Sequence, residues 1–141
     1  MKCLLDTHAL LWALISPEKL SDPARAAITS PDNPVFVSAI SFWEIALKHR
    51  IGKLHLQGVT PDALPDAALR QGFELLPLDA RLAAGFSALP DIPNHRDPFG
   101  DSFDRMLIWQ AVSLGHTLVS SLINSDRKIE TDALPGLKVL W

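Results

Sequence analysis

The sequence predicts an α/β fold with a central parallel sheet of about four to five strands. Three observations lead there. Short apolar segments alternate with helical ones along the whole chain. The strand segments are apolar throughout rather than alternating, as strands buried on both faces are. Several strands also run into acidic residues, or into helices that begin with one, and a parallel sheet gathers its strand C-termini along one ligand-binding edge.

Taken in order, Lys2–Leu5 reads as the first strand, leading into Asp6. Thr7 is positioned to cap a helix through about Leu14, stopped near Pro17. Ser21 caps a second helix to about Thr29, with Pro23 in its first turn. Pro31-Asp32-Asn33-Pro34 is a turn and Val35–Ser38 the second strand. Ser41-x-x-Glu44 has the form of a capping box opening a third helix that ends near Gly52. Thr60 caps a fourth, through about Arg70. Phe73–Leu76 is the third strand and Leu78–Leu89 a fifth helix. Pro90–Ser102 is a loop, and Phe103–Leu114 an apolar sixth helix closed by Gly115. Thr117–Ser120 and Leu137–Leu140 complete the strands. Strand order does not follow from the sequence.

The 141 residues fit one domain spanning residues 1–141, and 48% apolar content supplies a core. A net charge of −3 without a long basic run argues against strong nonspecific nucleic-acid binding. The lone cysteine, Cys3, excludes an internal disulfide and points to a reducing cytoplasm. No apolar run approaches the roughly 18 residues of a membrane span, and no signal-peptide layout is present.

The acids carry the chemistry. Asp6 either complements a helix N-terminus or ligates a metal at the end of the first strand. Glu44 has the capping-box role, yet it lies within the apolar run Phe42, Trp43, Ile45, Ala46 and Leu47. Asp97, Asp101 and Asp104 fall within eight residues, and Asp126 follows the fourth strand. Each has a turn or capping role available. Together at one sheet edge they would repel unless a hard cation such as Mg²⁺ sat among them. His8, His95 and His116 lack paired zinc-ligand spacing. Ser38 and Ser41 lack a Ser-His-Asp setting, and no glycine-rich phosphate loop occurs. Lys48-His49-Arg50 with Lys53 and His55 is the densest basic patch. It is a solvated helix end or, should the acid pocket process nucleic acid, a phosphate guide through Lys48, Arg50 and Lys53.

Leu4-Leu5-Asp6-Thr7-His8-Ala9-Leu10-Leu11-Trp12 and Ser41-Phe42-Trp43-Glu44-Ile45, with Lys48 and Gly52-Lys53-Leu54, resemble the PIN-domain toxins of the VapC type. So do Leu76-Pro77-Leu78-Asp79, His95-Arg96-Asp97-Pro98-Phe99, Phe103-Asp104-Arg105-Met106-Leu107-Ile108 and Leu134-Pro135-Gly136-Leu137. The resemblance implies a PIN-like α/β/α sandwich. It also implies a cytoplasmic Mg²⁺- or Mn²⁺-dependent endoribonuclease that forms homodimers, acts on RNA and is inhibited by a cognate antitoxin. Its acids map onto Asp6, Glu44, Asp104 and Asp126, with Asp97 as an additional acid in the metal pocket. Trp12 and Trp43, with Leu11, Leu14 and Leu47, exceed what small helices must bury and suit a groove for an antitoxin helix.

Two departures stand out. Gly100-Asp101-Ser102 extends the segment between Asp97 and Asp104, and Leu122-Ile123-Asn124-Ser125 lengthens the approach to Asp126. Asp6, Glu44 and Asp104 are still expected to converge, with Asp126 displaced and metal affinity reduced. The alternative function is therefore a PIN-fold protein that binds its antitoxin but cleaves poorly. A phosphohydrolase of the Asp-x-Asp type is disfavoured, because Asp6-Thr7-His8 lacks the second acid. A receiver domain is disfavoured too, for want of a strand-end lysine.

Overall fold

Side-chain alternation along the first strand separates the molecule into layers. In β1 (Cys3–Leu5) all three residues are buried, and successive side chains leave opposite faces of a strand. Cys3 and Leu5 enter one apolar cluster, Leu4 the other. Both faces of the sheet are thus covered at its centre, as a buried apolar strand requires. The computed structural model describes residues 1–90, 102–121 and 134–141. His95, Asp97, Gly100, Asp101, residues 122–125 and Asp126 lie outside the described residues.

The other strands are β2 (Val35–Ser38), β3 (Glu74–Leu76), β4 (Thr117–Val119) and β5 (Lys138–Leu140). They form a parallel sheet ordered β3-β2-β1-β4-β5. The chain therefore builds outward from β1 on one side, then returns to build β4 and β5 on the other. The reversal between β1 and β4 is a topological switch point, where a crevice opens beyond the strand C-termini. Register is tight there: Leu5 pairs with both Val37 and Val119. The residues that follow, Asp6, Ser38 and Ser120, consequently emerge side by side.

The helices are α1 (Thr7–Ile15), α2 (Asp22–Thr29), α3 (Ala39–Arg50), α4 (Leu64–Arg70), α5 (Ala80–Gly85) and α6 (Ser102–Leu114). Ala9, Leu10, Ala24, Ala27, Leu64 and Ala68 from α1, α2 and α4 cover the Cys3 and Leu5 face. Leu107, Ile108 and Ala111 of α6 cover the Leu4 and Leu118 face. α3 spans the two, placing Ile45 in the first cluster and Ile40 in the second. The result is a helix–sheet–helix sandwich, as the sequence led us to expect.

Several boundaries differ from that expectation, each for a hydrogen-bonding reason. α1 is capped by Asp6 rather than Thr7, because the Asp6 carboxylate accepts from the Ala9 N–H at 2.8 Å. α3 starts three residues early. Ser38 is its cap, accepting from the Ile40 N–H at 3.0 Å, so Ser41 and Glu44 do not form a capping box. Thr60 makes no side-chain cap bond, and a 3-10 turn at Pro61–Ala63 precedes α4. The helix expected over Leu78–Leu89 is α5, capped by Asp79, followed by a 3-10 turn at Phe86–Ala88. The Ser21 cap of α2 is as expected. So is the glycine after α6: Gly115 has φ +69°, and the His116 and Gly115 N–H groups donate back to Ala111 and Val112.

His116 is 6% exposed, stacks on Phe36 with ring centroids 4.6 Å apart, and its Nδ1 has no partner among the described residues. Burial, with Lys2 nearby, pushes its imidazole below the usual histidine range. The unfolded chain therefore takes up a proton near the ordinary pKa of about 6.5 that the folded chain refuses. Stability should be full above that value and fall as the pH drops below it. Thermal melts between pH 7.5 and 5 should show a steeper loss for the natural protein than for His116→Phe, and identical slopes would contradict this.

Candidate active site

Asp6 leaves β1 directly into the switch-point crevice and is 3% exposed. Its two carboxylate oxygens are held separately. Oδ1 accepts from the Ala9 N–H and Oδ2 from the Ser120 hydroxyl at 2.6 Å. The strands on either side of the switch point are thus joined through this side chain. Burial pushes the Asp6 carboxyl above its ordinary range, and the negative Glu44 adds to the rise. The Ser120 and Ala9 hydrogen bonds and His8 oppose it.

Glu44 approaches from α3 and is also 3% exposed. Thr7 donates to its Oε1 at 2.6 Å, and the Ser41 hydroxyl lies 3.2 Å from that of Thr7. Oε2 is ion-paired with Lys48, one turn further along the helix. The carboxylate expected to cap its own helix instead faces α1, since the early start of α3 places it in the second turn.

Asp104 lies half-buried in the first turn of α6. Phe103 beside it meets Trp43, beside Glu44, edge-to-face at 5.2 Å. The helix carrying the third acid therefore begins next to the helix carrying the second. A second tie joins them: Ser38, while capping α3, donates to Oε1 of the fully buried Gln110 on α6 at 2.5 Å. Asp6 and Glu44 are thus brought into electrostatic contact, with Asp104 on the adjoining helix. Among the described residues, no three His, Cys, Asp or Glu side chains stand close enough together to hold a metal ion. Of the basic residues, Lys48 is engaged with Glu44, whereas Arg50 and Lys53 are exposed at the far end of α3.

Reading the sequence missed Ser120, Thr7, Ser38 and Gln110 as site residues. Strand-end hydroxyls were a signal for two of them. Gln110 carried none, because its partner is 72 positions away.

The side chains bonded around Asp6 and Glu44 are mainly oxygens, those of Thr7, Ser41 and Ser120, with the His8 imidazole acting on Asp6 and the Lys48 ammonium on Glu44. Such a set suits a hard cation such as Mg²⁺ or Mn²⁺ rather than zinc.

The PIN domain family model matches residues 3–129. The chain belongs to the PIN domain family. No curated protein matches it. Among solved structures it is similar to a chain of VapBC2 from Rickettsia felis bound to a DNA fragment from their promoter. There the identity is 16% and the TM-score 0.64, covering 100% of this chain and 99% of that one. It is also similar to FitAB bound to the IR36 DNA fragment, at 18% identity and TM-score 0.56, covering 98% and 93% respectively. At these identities the likeness is one of fold.

Three substitutions report on this arrangement. Ser38→Ala removes a helix cap and strands Gln110 Oε1, which should lower stability by about 2 kcal/mol in chemical denaturation. Adding Gln110→Met should recover part of that loss, since apolar replacement of both partners leaves no orphan. Asp6→Asn should raise the melting temperature at neutral pH without divalent cations. The Asp6 pKa is raised by folding, so its contribution is full below the unfolded value of about 3.9 and lost as pH rises. The gain should shrink towards pH 4, and a uniform gain across pH would contradict the assignment.

Proposed function

We propose that this PIN domain, spanning residues 1–141, is a Mg²⁺- or Mn²⁺-dependent endoribonuclease and the toxin of a VapC-type toxin–antitoxin pair in the cytoplasm. The observation that carries this reading is the Asp6 carboxylate, buried at the switch point of a parallel sheet, with a second buried carboxylate beside it. A fold that sequesters two carboxylates at its ligand-binding edge does so at a cost to stability, and catalysis is the compensation.

In this reading Asp6 and Asp104 hold the metal, with Asp97 and Asp126 completing the acidic set. Bound there, a divalent ion supplies neutralisation of the scissile phosphate and activation of a water. The chain's own residues supply position. Ser120 and the Ala9 N–H fix both oxygens of Asp6, and Thr7 fixes Glu44. Arg50 and Lys53 guide the RNA backbone, starting about 9 Å along the helix from Glu44. Asp6→Asn or Asp104→Asn should cut RNA cleavage by purified protein with Mn²⁺ at least about 100-fold while leaving the circular dichroism unchanged. Full activity in a folded Asp6→Asn protein would sink the reading.

The same reading includes an antitoxin partner, whose apolar helix docks on α3. Trp43, Leu47 and Ile51 are 61%, 37% and 55% exposed and recur one turn apart. Of the other groove candidates, Trp12 packs against Trp141 at 5.4 Å, and Leu11 and Leu14 sit against the core. Trp43→Ser should weaken binding of the protein encoded beside this one at least about 30-fold, as loss of an interface anchor does. Unchanged binding by calorimetry would exclude this face. Homodimerisation rests on the family resemblance.

A further inference from the structure

We propose that Lys48 is the resident counter-cation of Glu44, keeping that carboxylate from ligating metal directly, so that the acidic centre takes one divalent ion rather than two. The inference deepens the metal-dependent reading above and rests on it. Its ground is a difference between two carboxylates of equal burial. Both hydrogen-bond partners of Asp6 are uncharged, an amide and a hydroxyl, so neither cancels a charge on that carboxylate at contact. Glu44 has the Thr7 hydroxyl on one oxygen and the Lys48 ammonium on the other, so its charge is cancelled at contact.

The pairing is built into α3. Glu precedes Lys by four residues, the favourable orientation on a helix. The Glu44 side chain is 4% exposed and that of Lys48 39%, so the lysine lies over the buried acid on its solvent side. Burying a charge is costly unless it is paired, and the chain supplies the partner of Glu44 itself. A neutral pair attracts a divalent ion weakly, and an ammonium at contact repels one. The place a second metal would take beside Glu44 is held by Lys48. Glu44 is then a positioning residue. Through Thr7 it fixes the first turn of α1, whose cap is Asp6.

A charge cycle tests this by calorimetric titration of the full chain with Mn²⁺ alone, with circular dichroism as the check of folding. The variants are Lys48→Met, Glu44→Gln and the double substitution. Lys48→Met exposes the negative charge and should tighten Mn²⁺ at least about tenfold. Glu44→Gln leaves an unpaired ammonium and should weaken it by a similar factor. The double variant is neutral like the natural pair and should bind one Mn²⁺ within about threefold of the natural chain. Should the single variants fail to fold, the double variant, which buries no unpaired charge, carries the decision. A double variant that loses affinity as Glu44→Gln does, or a natural chain that binds two ions, makes Glu44 a direct ligand and overturns the proposal with the metal-dependent reading intact. A natural chain that takes up no Mn²⁺ removes both.

Discussion

The burial of Asp6 is the constraint on which the rest of the arrangement depends. A carboxylate that leaves a central strand into the body of a protein needs donors for both oxygens, or folding becomes prohibitively costly. One donor comes from the first turn of the helix that Asp6 itself caps, which fixes how α1 departs from β1. The other comes from Ser120, 114 positions away, which requires β4 to lie beside β1 in the observed register. A single acid thereby ties helix direction to strand order.

Glu44 brings the second half of the sheet edge into the same place. Its helix starts at Ser38 because that hydroxyl can cap it, and Ser38 sits next to Asp6 because Val37 pairs with Leu5. From there α3 descends past Thr7, and the hydrogen bond between Thr7 and Glu44 closes a ring of contacts through β1, α1, α3 and β2. The Ser38 to Gln110 bond extends that ring to α6, the carrier of Asp104. Asp6 and Glu44 each accept from an uncharged hydroxyl on a neighbouring element, Ser120 and Thr7 respectively. Such networks hold geometry well but tolerate loss of a member badly.

α3 divides its surface among three tasks. One face, with Ile40 and Ile45, belongs to the cores. A second presents Glu44 to α1 and covers it with Lys48. The third leaves Trp43, Leu47 and Ile51 facing solvent. Because Trp43 is adjacent to Glu44 and touches Phe103, adjacent to Asp104, a protein docking on this face would lie directly against the acidic centre. Binding and inhibition need no long-range mechanism in that geometry.

The sequence by itself determined the element types, their alternation, the parallel sheet, and the acid that ends the first strand, Asp6. These follow from local pattern: uniformly apolar strands, prolines and glycines at turns, and acids at strand ends. Tertiary structure alone decided the strand order, the caps of α1 and α3, and the partners of Asp6 and Glu44. Ser41-x-x-Glu44 satisfied a capping rule over four residues, yet Ser38 was the better cap once β2 ended beside Asp6. Thr7 had the chemistry to cap α1, yet Asp6 took that position and Thr7 turned to Glu44. In each case two residues met the same local requirement. The residue that took each cap also bonds a buried group 72 or 114 positions away, and such distances leave no trace in local sequence.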